Sequence, residues 1–92
     1  MTKKELREEV IKNIVFGLES MKDDITNNYN HVLVDDAHTT VGRMHLASFL
    51  GAIKTEEFTT LNHKIWDIAY PEKGANQLDM INELISTVGS WS

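Results

Sequence analysis

Apolar residues recur every three to four positions over the first 25 residues, and this is the period of an α-helix. At 100° per residue they fall on one face of the segment: Leu6, Val10, Ile11, Ile14, Val15, Leu18, Met21 and Ile25. Thr2 and Glu5 have the spacing of a capping box, in which each side chain accepts a hydrogen bond from a backbone N–H. The pattern predicts a helix over about Lys3 to Asn27. Gly17 lies within the apolar face, where the missing side chain would let another helix approach closely.

The second helical segment differs, because its apolar residues point nearly all round the axis. Arg43 is the one formal charge between Ala37 and Ile53. A helix that is apolar on all sides is buried on most of them, so the pattern predicts a central, mostly buried second helix. This helix is expected to begin after Asp35-Asp36, either of which is a suitable N-cap, and to reach about Leu50. For residues 31–34, His-Val-Leu-Val, we expect a loop packed on the core, with a short strand as the alternative.

Two shorter amphipathic segments complete the chain. Thr55 is suited to cap the third helix, and Pro71 ends it, because the residue before a proline disfavours helical backbone. The fourth helix is expected over about Asn76 to Val88. Short connections between the last three helices imply antiparallel neighbours. The sequence therefore predicts an all-α single domain over residues 1–92, a compact bundle of three to four helices.

Composition narrows the class of protein. The chain is 41% hydrophobic and 25% charged, which is typical of a globular domain and too apolar for a disordered one. It has no cysteine, which excludes a disulfide-stabilised module and favours the cytoplasm. No apolar run approaches the ~20 residues that span a membrane, and the charged first nine residues do not fit a signal peptide. The net charge of −5 argues against nonspecific nucleic-acid binding, which requires neutralisation of phosphates by Lys and Arg.

Motifs that carry chemistry are missing from the sequence. The five glycines are isolated, so no phosphate-binding loop is present, and no serine lies in a nucleophile motif. His38 and His45 lie seven residues apart near one helix face, but neither His-Glu-x-x-His nor Glu-x-x-His spacing occurs. We therefore expect a protein that is not an enzyme, with no catalytic residues, no cofactor and no metal site.

Aromatic residues away from the core stripes are the best indication of function. Phe16 lies about opposite the apolar face of the first helix, and Trp66 and Tyr70 lie off the core face of the third, near His63. Exposed aromatic side chains at such positions often anchor protein interfaces. The alternative is that another helix or the C-terminal tryptophan covers them. Arg43 completes this set of candidates, although a snorkelling or paired arginine is the simpler interpretation.

Two nucleic-acid interpretations remain as alternatives. Residues 46–52 followed by residues 55–58 resemble a helix-turn-helix motif, which would make the chain a regulatory nucleic-acid binder. Phe58 and Leu61 fall one position later than the usual buried pair, and Glu56-Glu57 would place negative charge at the start of the reading helix. The second alternative is an acidic nucleic-acid mimic, since acidic doublets recur at residues 8–9, 23–24, 35–36 and 56–57.

Residues 41–47 and 50–61 carry a family resemblance. The stretch Val-Gly-Arg-Met-His-Leu-Ala, and then Leu-Gly-Ala-Ile-Lys leading into Thr-Glu-Glu-Phe-Thr-Thr-Leu, resembles a helical hairpin of small accessory proteins from Gram-positive phages and mobile elements. The resemblance covers about a quarter of the chain. It implies a role in binding a host or phage protein and brings no catalytic residues.

Together these observations predict a non-enzymatic protein–protein interaction module, such as an accessory or inhibitor protein. The expected partner is a host or phage protein. Self-association through Phe16 or Trp66 would instead give a homodimer.

Overall fold

Four α-helices make up most of residues 1–91, the part of the chain that this computed structural model describes. They are α1 (Lys3–Thr26), α2 (Asn30–Phe49), α3 (Thr55–Ala69) and α4 (Gln77–Gly89). No strand occurs within residues 1–91. The predicted all-α helical bundle is confirmed.

The helices form a ring in which each has two neighbours. α1 packs against α2 and α4, and α3 packs against the same two helices, while the backbones of the diagonal pairs stay apart within the described residues. The bundle measures 41 × 21 × 20 Å. Each helix turns one stripe of apolar residues toward a shared core, including Ile14, Leu18, Met21, Met44, Leu61, Ile65, Ile68, Ile81 and Val88.

The start of α2 corrects the expectation for residues 31–34. These residues are helical, because Leu33 continues the inward stripe of α2 and lies buried in the core. Asn28 has a φ of 58°, a left-handed conformation that asparagine tolerates better than most residues, and it lets the chain reverse tightly after α1. The β-branched residues of this segment favour extended backbone, but the spacing of buried side chains prevails.

The position of α2 also differs from the expectation that it is central and mostly buried. Its buried residues occupy one stripe: Leu33, Ala37, Thr40, Met44 and Ala47. α1 and α3 flank this stripe, and the opposite side of the helix has no neighbouring helix in the described chain. Leu46, Phe49 and Leu50 therefore lie exposed on the outside of the bundle. The apolar residues that surround α2 belong to two faces, of which only one is core.

Local capping contacts mark the starts of α1 and α3. At α1 the predicted capping box is present, with Glu5 N donating to Thr2 Oγ1 at 3.1 Å and Thr2 N donating to Glu5 Oε1 at 3.3 Å. The N-cap of α3 is Lys54 rather than the expected Thr55, and Lys54 N donates to Glu57 Oε1 at 2.8 Å. α3 ends at Ala69, two residues before Pro71, as the proline predicts.

Gly17 permits the close approach of α1 and α2 that its position predicts. It is buried, and a Cβ atom at this residue would collide with the side chain of Thr40 on α2. Within residues 1–91 no helix is both long enough and apolar enough to cross a membrane.

Candidate protein-interaction surface

Three large apolar side chains lie together on the outside of α2 near its C-terminal end. Leu46, Phe49 and Leu50 are 60%, 87% and 50% exposed. Their spacing of i, i+3 and i+4 places them on adjacent turns of one helix surface. We call these three residues the outer cluster. Contiguous apolar surface of this kind often marks an interaction site, because its burial is favourable by roughly 1.5–3 kcal/mol for each large side chain.

A groove adjoins the outer cluster where α2 meets α1. Its cavity of about 270 Å³ is lined from α1 by Glu9, Val10, Asn13 and Ile14, and from α2 by Arg43, Leu46, Ala47 and Leu50. Two members of the outer cluster, Leu46 and Leu50, thus form part of its wall, whereas Phe49 does not line it. The small side chain of Ala47 leaves room between the helices. We call this cavity the α1–α2 groove, and it can accept an apolar side chain from outside.

Phe16 and Arg43, predicted separately from the sequence, come together along the same seam. Phe16 is 65% exposed on α1, and the guanidinium carbon of Arg43 lies 5.7 Å from the centre of its ring, within reach of a cation–π contact. Arg43 Nη1 also approaches the carbonyl oxygen of Asn13 at 3.5 Å. Arg43 is therefore a half-buried side chain that crosses from α2 to α1 and leaves its charge at the edge of the groove.

The remaining predicted candidates lie at the other side of α2, against α3. Trp66 is half-buried, its Nε1 donates to Asn62 Oδ1 at 3.1 Å, and its ring contacts His38 edge-on with centroids 4.8 Å apart. Tyr70 is exposed and stacks on Trp66 at 6.1 Å. His63 is exposed on α3. The indole N–H of Trp66 is thus hydrogen-bonded and its ring is partly covered within the molecule. Trp66 is therefore a weaker candidate than Phe49 to anchor a protein interface.

Two of the three histidines of α2 pack on aromatic rings of α3. His38 contacts Trp66, as above, and His45 lies 4.7 Å from Phe58 between ring centroids. Among residues 1–91, no three His, Asp or Glu side chains gather in an arrangement that would hold a metal ion.

A cluster around Arg7 closes one end of the bundle. Arg7 donates to both carboxylate oxygens of Glu57, at 2.9 and 2.8 Å, and to the carbonyl oxygens of Ala52 at 3.1 Å and Trp91 at 3.2 Å. The hydrogen bonds from Arg7 hold the pKa of Glu57 below its usual range, although burial opposes this shift. The cluster joins α1, the α2–α3 connection, α3 and the C-terminal residues, so its role is structural.

Two carboxyl groups meet near the other end of α1. Asp24 is buried beside Asp36 of α2, and Asp24 Oδ2 accepts no hydrogen bond from the described residues. Burial, together with the proximity of Asp36 and the charge of Asp23, raises the pKa of Asp24 to about 7. A protonated Asp24 can donate a hydrogen bond to Asp36, so the pair is stable when it shares one proton.

The outer cluster is a surface that the sequence pattern did not predict. The available signal was the apolar character of α2 on every side, which also fits a helix that turns one apolar face to the core and another to a partner.

No family model matches this chain, and neither a curated protein nor a solved structure matches it significantly.

Proposed function

We propose that this chain is a non-enzymatic protein–protein interaction module whose contact surface is the outer cluster together with the α1–α2 groove. The observation that carries the proposal is the 87% exposure of Phe49 beside an open groove with apolar walls and a polar rim. Large aromatic side chains that enter a pocket supply much of the binding free energy at protein interfaces. Arg43 and Phe16, next to the groove, are the type of residue found around such anchors.

A nucleic-acid-binding role has less support. The exposed side of α3 carries Glu56 and Asp67 against Lys64, and the chain as a whole has a net charge of −5. A groove of DNA flanked by phosphates would repel such a surface.

An acidic mimic of nucleic acid is also less well supported than an apolar docking surface. In the two doublets at the α1–α2 turn, Asp24 is buried and Asp36 is half-buried, so Asp23 and Asp35 alone are free to face a basic partner. Mimicry of a phosphate backbone requires several exposed charges in a regular row.

The proposed setting follows from the sequence. A chain without cysteine fits a reducing compartment, so we place the protein in the cytoplasm. The resemblance of residues 41–47 and 50–61 to accessory proteins of phages and mobile elements makes a host or phage protein the proposed partner, with an inhibitory or accessory role.

Site-specific photo-crosslinking tests the proposed surface. A benzophenone amino acid replaces Phe49 in one variant and Leu78, an exposed apolar residue on α4, in a control. In cells that express the protein, we expect a discrete protein adduct from position 49 and none from position 78. Leu46→Asp, added to the first variant, should suppress the adduct. No adduct from position 49, or the same adducts from both positions, would contradict the proposal.

A further inference from the structure

We propose that the occupant of the α1–α2 groove is Phe49 of a second copy of this chain, in a two-fold symmetric dimer. This inference rests on the function proposed above, but it makes a second copy of the chain, and not a host or phage protein, the partner at this surface. It follows from three properties of one surface: complementary shape, complementary charge and sufficient area.

The surface carries both an exposed ring and a cavity that can receive it. Phe49 is 87% exposed and does not line the groove, although Leu46 and Leu50 on either side of it in sequence do. An apolar cavity of about 150 Å³ is enough to bind a benzene ring, and the groove measures about 270 Å³. Since Phe49 is directed away from its own groove, it can enter the groove of another molecule.

A two-fold axis gives both molecules the same contacts. In an isologous dimer, if residue i of one copy contacts residue j of the other, then j also contacts i. With the axis close to Leu46 and Leu50, each Phe49 reaches the groove of the other copy. Two rings are buried and two grooves are filled.

The rim of the groove carries opposite charges, as a self-complementary surface requires. Glu9 lies on the α1 side and Arg43 on the α2 side. The two-fold axis brings Glu9 of each copy toward Arg43 of the other. Glu9 has an existing contact with Lys12 at 3.5 Å, but both side chains are solvent-exposed, and an exposed pair of this kind contributes little. Arg43 forms no ion pair within residues 1–91.

The α1–α2 side of the bundle is large enough for a dimer interface. The bundle is 41 Å long and 21 × 20 Å across, so the whole of this side covers on the order of 800 Å², and a standard interface uses most of it. A standard protein interface buries roughly 800 Å² from each partner.

Sedimentation equilibrium over a concentration series tests the dimer directly. We expect the average mass of the pure protein to rise from 10.5 kDa toward twice that value as concentration increases. Phe49→Asp should weaken dimerisation by roughly 10- to 100-fold or more. Leu78→Asp adds the same charge on α4, diagonally across the bundle from α2, and should leave dimerisation unchanged. Circular dichroism checks that both variants keep their helices.

A charge exchange tests the symmetry. Glu9→Arg alone and Arg43→Glu alone should each place like charges opposite one another and weaken self-association. An equimolar mixture of these two variants restores an opposite-charge pair at every contact, so the mixture should form a dimer that neither variant forms alone. This test does not use the Phe49 variant, so it does not depend on the stability of that variant. Glu9 and Arg43 are both at least partly exposed, so their substitution is expected to leave the fold intact.

The outcomes separate this inference from the function on which it rests. A mass that stays at 10.5 kDa for the unaltered protein into the millimolar range would overturn the dimer. An adduct from position 49 with a different protein would then preserve the interaction module with another partner. No adduct at all would overturn both. Dimerisation that is equally strong in Phe49→Asp would show that the copies meet through another face.

Discussion

The two ends of α1 are fastened by opposite kinds of electrostatic contact. Near its start, Arg7 neutralises Glu57 in a bidentate ion pair. Near its end, Asp24 is buried against Asp36, a group of the same charge. The first contact is strongest when both partners are ionised, whereas the second is strongest when one partner holds a proton. The contributions of these two contacts to the stability of the protein therefore change with pH in opposite directions.

The surroundings of each pair explain the difference. Arg7 satisfies its donors with the carboxylate of Glu57 and with backbone carbonyl oxygens from two other segments. No Lys or Arg pairs with Asp24 or Asp36 in the described residues. Burial of charge is tolerated where an opposite charge and hydrogen bonds replace water, and it otherwise shifts the pKa toward the neutral form. The half-buried carboxylate of Glu57 therefore stabilises the protein when it is ionised, whereas the ionised carboxylate of Asp24 destabilises it.

Removal of the Arg7 side chain should have the largest effect on the stability of the protein. Arg7→Ala leaves Glu57 half-buried without its partner and removes the donors to two carbonyl groups, so we expect a loss of about 2–3 kcal/mol in the free energy of unfolding at pH 7. Urea denaturation measures this loss. Lys12→Ala, which removes the exposed pair with Glu9, is the control and should change stability by less than about 0.5 kcal/mol. Equal losses from both variants would show that the cluster adds no special stability.

Removal of the charge of Asp24 should have the next largest effect on stability, and this effect should be stabilising. Asn at residue 24 carries no charge and can still donate to Asp36, so Asp24→Asn should stabilise the protein by about 1–2 kcal/mol at pH 8. Because the pKa of Asp24 rises from 3.8 to about 7 on folding, the folded state binds more protons than the unfolded chain between these values. Stability from this group therefore falls as the pH rises from about 4 to 7.

The pH series supplies the check on this prediction. The stabilisation by Asp24→Asn should disappear near pH 4, where Asp24 is protonated in the folded protein. Asp35→Asn, an exposed carboxylate on α2, should show no such pH dependence. A gain that is constant from pH 4 to pH 8 would be incompatible with the proposed protonation.

Glu57→Gln should have a smaller effect and sharpen the comparison. The amide keeps one acceptor oxygen but loses the charge and the second acceptor for Arg7, so we expect a loss of about 1–2 kcal/mol at pH 7. Since the pKa of Glu57 is lowered on folding, its contribution is complete above about 4.5 and is lost as the pH falls through the folded-state value. The variant and the unaltered protein should thus converge in acid. A loss that persists unchanged at pH 2 would contradict this account.

The capping box at the start of α1 should contribute least. Thr2→Ala removes the acceptor for Glu5 N, and we expect a loss of about 0.5–1 kcal/mol by urea denaturation. The loss should be independent of pH above 5. A change as large as that of Arg7→Ala would mean that the first turn and the Arg7 cluster fold as one unit.

Local patterns in the sequence predict the helices better than the contacts between them. The bounds of α1 and α4 and the C-terminal end of α3 follow closely from periodicity, from the capping box at Thr2 and from Pro71, all of which act within a few residues. The loop expected at residues 31–34 is wrong, because the spacing of buried side chains such as Leu33 overrides the low helix propensity of the β-branched residues there.

The candidate surface could be predicted only in part. Phe16 and Arg43 were identified singly, but their contact depends on how α1 and α2 are aligned. The expectation that α2 is mostly buried is wrong at the outer cluster, because periodicity shows that a face is apolar and does not show what covers it. Arg7 and Glu57 lie 50 residues apart, and nothing local links them.

The contact between Gly17 and Thr40 has a consequence for how this protein can diversify. Side chains such as Phe16 and Phe49 project into solvent, so substitutions there can retune binding at little cost to folding. Position 17 is different, since any larger residue would push α1 away from α2 and widen the seam along which the groove lies. Among related chains we would therefore expect glycine to persist at this position while the binding residues around it vary, although Gly17 itself would touch no partner.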